Sequence, residues 1–295
     1  MTARAVLRSG DGRLRAPWRL LVFGVVALGL VALALSLVAL AIPSSERPAV
    51  RDADDLVSLD ATLAAWAIVL AFIGAHAFVL KFVERRGWDF VWMHARAARP
   101  RLLGTGLAIG ALTIGAPSAL LIATGWLDVA DAPGPWQAGA FATAMFLLPA
   151  AMYEELMLRG YPLAVLRETL GWRWAIVITS VVFGALHVFN ENSVVIAIVV
   201  VTVAGVFLGA IVYKTESLWT ATAAHFAWNL ALAVAFHTAV SGNEFPAGDY
   251  RVIDGGPDWA TGGAWGPEGG AGAIGGMLIA AALLLRRRRQ PREAA

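Results

Sequence analysis

Eight stretches of this chain are apolar for about as long as a bilayer's hydrocarbon core is thick, which leaves few folds open to it. They run roughly over 20–42, 61–82, 102–124, 136–158, 174–190, 194–213, 217–240 and 271–285. About 20 apolar residues in a helix cross the core, and helices satisfy every backbone polar group within the segment. Only 15% of the 295 residues are charged, against about 25% in a soluble domain, and mean hydropathy is +0.68. The expected fold is therefore all-α, a polytopic membrane protein of about eight transmembrane helices.

The connections test that count through the placement of their charges. Arg4, Arg8, Arg13, Arg15 and Arg19 precede the first run, and Arg85, Arg86, Arg96, Arg99 and Arg101 fill the second connection. Arg159, Arg167 and Arg173 mark the fourth, and Arg286 to Arg289 follow the last run. Between them lie connections with acidic or few charges: Asp52, Asp54, Asp55 and Asp60; then Asp128 and Asp131; then Glu191. The seventh is acidic as well, with Glu244, Asp249, Asp254, Asp258 and Glu268. Basic connections stay in the cytoplasm, so the alternation predicts an even number of spans with both termini cytoplasmic. The sixth connection, Lys214-Thr-Glu216, is nearly neutral and decides nothing. The first apolar run is about 23 residues, longer than a signal peptide's roughly 7–15, and reads as an uncleaved anchor.

Three regions follow: 1–135 with three spans, a four-span core over 136–240, and 241–295 with an acidic Gly-rich external loop, the last span and a basic tail. Loop 241–270 is expected to be ordered or semi-ordered, with Trp259 and Trp265 at the interface. Gly106-x-x-x-Gly110 and Gly205-x-x-x-Gly209 read as close helix-packing faces. His76 and His237 read as helix–helix hydrogen-bond donors. The chain has no cysteine, which excludes disulfides, thiolate metal sites and a cysteine nucleophile.

Function is written in the polar residues that interrupt the core region. They are Glu154-Glu155-x-x-x-Arg159, Phe183-x-x-x-His187 and His225-x-x-x-Asn229. An ionisable side chain costs roughly 2.5–3.5 kcal/mol at mid-membrane on insertion scales, so several in three spans point to a buried reaction centre. Consecutive helical residues point about 100° apart, so Glu154 and Glu155 are expected to have separate roles. Glu155 and Arg159, four apart, can pair along one face and leave Glu154 facing the interior as a general base. His225 and Asn229 share a face and can donate to a developing oxyanion. His187 can share the proton of a water held by Glu154, and Phe183 reads first as packing.

In this order and spacing the three motifs resemble the CPBP family of intramembrane proteases, over roughly 137–235. That family includes the type II CAAX prenyl endopeptidases, lysostaphin-resistance-type proteins and bacterial proteins linked to bacteriocin processing and immunity. The resemblance implies an eight-helical protein whose site opens toward the cytosol and depends on glutamate, with no metal and no cofactor. It implies that Glu154 activates water with help from His187, that His225 and Asn229 stabilise the oxyanion, and that Glu155 and Arg159 are a supporting pair. The expected partners are the lipid bilayer and a peptide or membrane-protein substrate, with or without a lipid group, and no nucleic acid. The expected location is a bacterial plasma membrane.

Three other readings stay open: a non-catalytic scaffold or bacteriocin-immunity-type binding protein, a zinc site of Glu154, His187 and His225 without His-Glu-x-x-His, and a proton-coupled transporter. Depth sets one further expectation. A fourth span ending at residue 158 would leave Glu154 near one face and His187 about 20 Å deeper, at about 1.5 Å per residue. Helix four is therefore expected to continue to about residue 166, with a kink at Pro149.

Overall fold

The computed structural model describes residues 7, 12–42, 57–131, 136–246, 248 and 250–286. Arg4, Arg8, Asp52, Asp54, Asp55, Asp249 and Arg287 to Arg289, used above to read the connections, lie outside the described residues.

The protein is mostly helical. Helix α1 is Ala16–Ala41, opened by a proline in its first turn, and α2 is Leu59–Phe78, capped by Ser58 and continued as a π-helical turn to Glu84. Then come α3 (Pro100–Ala123), α4 (Trp136–Arg159), α5 (Tyr161–Leu186) and α6 (Val195–Thr215). Helix α7 is Leu218–Leu230, continued as a π-helical turn through Ala235, and α8 is Ala271–Arg286. Each of the eight apolar runs is thus a helix. Among the described residues, five helical stretches are long and apolar enough to cross a membrane, and one of these, Trp136–Phe189, contains both α4 and α5. At about 1.5 Å per residue, the 16-residue α8 reaches only about 24 Å, and α7 gains its length from the π-helical turn.

Among the described residues, the all-α architecture is interrupted by a two-stranded antiparallel sheet, β1 (Leu127–Asp131) against β2 (Tyr250–Asp254), with Leu127 opposite Asp254. It joins the connection after α3 to the long connection after α7, so loop 241–270 is folded. Trp259 is 62% exposed and stands edge-on to Trp126, whereas Trp265 is fully buried. Trp265 is therefore a core residue and not the interfacial anchor its position suggested, because the loop folds back over the bundle.

At the opposite end, the arginines do more than orient the chain. Arg19 of α1 donates to Glu84 at 2.7 and 2.8 Å and to Glu168 at 2.9 Å. Arg86 pairs with Glu168, and the Tyr161 hydroxyl donates to Glu84 at 2.5 Å. Lys214 donates to the Leu285 carbonyl at 3.3 Å, placing the end of α8 beside the end of α6.

Helix α7 is the axis of the bundle. Ten of its thirteen residues are buried, including His225 and Asn229, so it has no solvent face to define an amphipathic stripe. It approaches α3 without intervening side chains. A Cβ on Gly106 would stand 2.4 Å from the Thr220 carbonyl oxygen, and one on Gly110 only 1.9 Å from that of Ala224. Gly205 and Gly209 of α6 make close contacts of another kind with α5, where a Cβ would stand 2.8 Å from Ser180 Cβ and 2.9 Å from the Ile176 side chain. Where lipid gives no hydrophobic drive between helices, such small-residue contact supplies close van der Waals packing. Outer helices present apolar surface, with Leu28 72%, Leu40 83% and Val195 83% exposed.

Helix α4 contains Pro149, stops at Arg159 and does not run unbroken to residue 166, because the break lies at Gly160. Gly160 has ψ −117°, and a Cβ there would lie 2.2 Å from Nε2 of His76. His76 fills that space: Nδ1 donates to the Phe72 carbonyl of its own helix at 2.7 Å, and Nε2 accepts the Tyr161 amide at 3.0 Å. Toward its neighbouring helix His76 is thus an acceptor and not the donor expected. His237 likewise accepts, from the Gly248 amide at 3.0 Å. Helical backbone resumes at Tyr161 and breaks again at Gly171, whose φ of 77° a residue with a Cβ rarely adopts.

A Gly110→Ala substitution is expected to lower stability by about 1–3 kcal/mol, the cost of forcing extra volume into a closed contact. Thermal unfolding of the detergent-solubilised protein checks this, with Gly104→Ala, where a Cβ meets open space, as the neutral control.

Candidate active site

The last two turns of α4 point their polar residues at α7 and α5. Glu155 and Arg159 are fully buried, and Arg159 Nη1 donates to Glu155 Oε1 at 3.1 Å, as the i,i+4 spacing predicted. The Arg159 guanidinium lies 4.1 Å from the centroid of the Phe183 ring, so one face of the cation rests on π density. Arg159 Nε and Nη2 and Glu155 Oε2 have no hydrogen-bond partner among the described residues, which leaves the ion pair and the ring to hold the buried charge.

Glu155 does more than bind Arg159. Its Oε1 also faces Nδ1 of His225 at 3.1 Å, while Glu154 Oε2 stands 3.7 Å from Nε2 of the same ring. The two consecutive glutamates, expected to have separate roles, thus face the same ring from different sides. Their roughly 100° divergence carries one carboxylate to each edge of a single imidazole. With Nδ1–H donated to Glu155, Nε2 is the nitrogen left for chemistry, and Glu154 stands beside it. Glu154 keeps a side-chain exposure of 22%, against none for Glu155.

His187 sits where α5 gives way to a 3₁₀ turn, and its Nδ1 donates to the Phe183 carbonyl at 2.8 Å. Phe183 stacks edge-on against His187 at 4.6 Å and against His225 at 6.0 Å. The residue read first as packing thus separates the two histidines and supports Arg159. Glu154 and His187 form no hydrogen bond with each other among the described residues. Glu154 is instead drawn to His225, because α4 ends at Arg159 and its last turn lies against α7.

His187, His225 and Asn229 meet on a narrow cavity of about 40 Å³. That is room for a few waters at roughly 10–15 Å³ each. Asn229 is buried, and its amide is committed to no hydrogen bond among the described residues. Three further polar residues line this space: Trp228 of α7, Ser241 and Glu268. The sequence reading placed Glu268 with the external acidic charges and did not single out the other two. Trp228, three residues after His225, was within reach of helical periodicity, but Ser241 and Glu268 arrive through the fold of the loop. Among the described residues no three His, Asp or Glu side chains converge closely enough to hold a metal ion.

The family model described as Type II CAAX prenyl endopeptidase Rce1-like matches residues 135–231, the stretch that carries all three motifs. No curated protein and no solved structure matches the chain.

Removing one member of the buried pair, as in Arg159→Met or Glu155→Gln, is expected to cost about 3–5 kcal/mol by stranding the other charge. Glu154→Gln, at a partly exposed site, is expected to leave the unfolding temperature within a few degrees of the wild type. Thermal unfolding of the three purified variants checks the difference.

Proposed function

We propose that this chain, whose residues 135–231 belong to the type II CAAX prenyl endopeptidase Rce1-like family, is an intramembrane endopeptidase that hydrolyses a peptide bond with glutamate-activated water. The observation that carries the reading is the placement of His225 between two carboxylates, on the helix that also brings Asn229 to the cavity. In this reading the chain crosses the membrane eight times, both termini lie in the cytoplasm, and the membrane is a bacterial plasma membrane.

Glu154 takes a proton from water as its oxygen attacks the scissile carbonyl carbon. The carbonyl electron pair moves to oxygen, and the oxyanion accepts hydrogen bonds from the Asn229 amide and from Nε2–H of His225, which acts as the imidazolium between the two carboxylates; these groups are held in place before the reaction. Collapse of the tetrahedral intermediate breaks the C–N bond, and Glu154 returns its proton to the leaving amine. His187, across the cavity, assists the water. Glu155 fixes the His225 ring from behind, and Arg159 holds Glu155 in its place. No covalent intermediate is required. The substrate is a peptide or membrane protein, with or without a lipid group, entering from the cytosolic side.

A non-catalytic membrane scaffold is the second reading, favoured by the narrowness of the cavity. The two are separated by labelling new protein termini in membranes that express the wild type or Glu154→Gln at equal levels. Fragments that depend on the glutamate are expected, and their cut sites define the substrate. Identical profiles from two folded proteins would favour the scaffold. On an identified substrate, Glu154→Gln is expected to lower kcat by about 10²–10⁴-fold and Asn229→Ala by about 10²–10³-fold, as for loss of a general base and of an oxyanion donor.

A further inference from the structure

The cavity is lined by a carboxylate that the reaction above does not use. Glu268 comes from the Pro267–Gly269 turn, between the buried Trp265 and the start of α8, and is only 7% exposed. Its two oxygens divide their partners between two parts of the chain. Oε2 accepts Nε1–H of Trp228 at 2.8 Å, from the residue of α7 adjacent to Asn229. Oε1 accepts both the backbone amide and the hydroxyl of Ser241, the latter at 2.8 Å. All three residues line the same cavity as His187, His225 and Asn229.

The surrounding backbone interlocks around this point. Asn190, just past His187, donates to the Ser241 carbonyl at 3.0 Å, and Asn192 donates to the Gly242 carbonyl at 3.1 Å. The Gly242 amide donates to the Trp265 carbonyl at 3.2 Å. Gly242 and Gly266 have φ of 82° and 95°, and a Cβ on either would lie within 2.3 Å of a carbonyl oxygen from another segment, Glu191 or Ala239. Three segments thus pass in backbone contact over the end of the cavity away from Arg19 and Lys214. Trp265, beneath them, packs with Leu158, Phe183, Ala197 and Val201.

We infer that Glu268 is a positioning residue for the site: it ties Trp228 of the central helix to Ser241 of the loop and so seals the cavity on the loop side. A carboxylate suits this place because it offers only acceptors to three donors, in a cavity where an unmatched donor would lose a hydrogen bond. The seal has two consequences. It leaves the cytosolic side as the route for substrate, and it keeps the turn of α7 that bears Asn229 from shifting along its axis. The consequence for catalysis rests on the hydrolase reading, whereas the seal does not.

The cysteine-free chain allows a test that needs no substrate. Val201→Cys puts a single thiol on the cavity wall, and Ala75→Cys puts one in the fully buried core of α2. Each is combined with wild-type Glu268, with Glu268→Gln, which keeps the volume but presents an amide donor to one of the two partners, and with Glu268→Ala. A membrane-impermeant maleimide is applied to spheroplasts and, separately, to inverted vesicles. With Glu268 present, Val201→Cys is expected to resist reagent from the loop side. In Glu268→Gln and Glu268→Ala its labelling from that side is expected to rise at least tenfold, with Ala75→Cys still protected. Unchanged labelling of Val201→Cys in both variants would overturn the inference. Labelling of Ala75→Cys to the same extent would overturn it too, by showing a general loosening of the fold. Because no turnover is measured, a protein that proved not to be a protease would still give a clear answer.

Discussion

The site depends on one carboxylate oxygen with two partners. Glu155 Oε1 accepts from the guanidinium of Arg159 on its own helix and from the imidazole of His225 on α7. Glu155 and Arg159 are fully buried, so neither can exchange its partner for water without the helices moving. That constraint fixes the rotation of α4 against α7, and with it the direction of Glu154 one residue earlier. A buried ion pair gives little net stability by itself, since desolvation offsets most of the Coulombic gain. Register is set by the contacts that cross to α7: sliding α4 by one residue would break Glu155–His225 and Glu154–His225 together and leave the pair within α4 intact.

Glycine makes this geometry reachable. Gly110 lets α7 come within backbone contact of α3, so the helix with the fewest exposed residues sits at the centre of the bundle. Gly160 ends α4 one residue after Arg159 and leaves the space in which His76 receives the Tyr161 amide. A continuous helix would have kept that amide for itself. The break also accounts for the contact that failed to form between Glu154 and His187. The last turn of α4 is committed to α7, while His187, at the far end of α5, is oriented by its own helix through the Phe183 carbonyl.

Seen from the cavity, the two ends of the molecule are built differently. One end is a network of arginines and glutamates, Arg19, Glu84, Arg86 and Glu168, that binds α1, α2 and α5 through charge. The other is closed by backbone contact, a two-stranded sheet and the hydrogen bonds of Glu268. The charged end matches the basic connections that the positive-inside rule assigns to the cytoplasm.

Local chemistry determined much of this protein. Apolar runs of bilayer length define where the helices lie, because a lipid-exposed backbone must bond to itself. The three polar motifs name residues that the fold brings together, and i,i+4 spacing alone predicts the Glu155–Arg159 pair. Tertiary structure decided what spacing could not express. That both glutamates flank one imidazole depends on the approach of α4 to α7, set by residues as distant as Gly106 and Gly110. That Trp265 is core, and that Glu268 reaches the cavity from a loop that reads as external, depends on contacts between segments about 25 residues apart and more. Sequence pattern carries the period of one element, whereas the meeting of two elements is settled by packing against all the others.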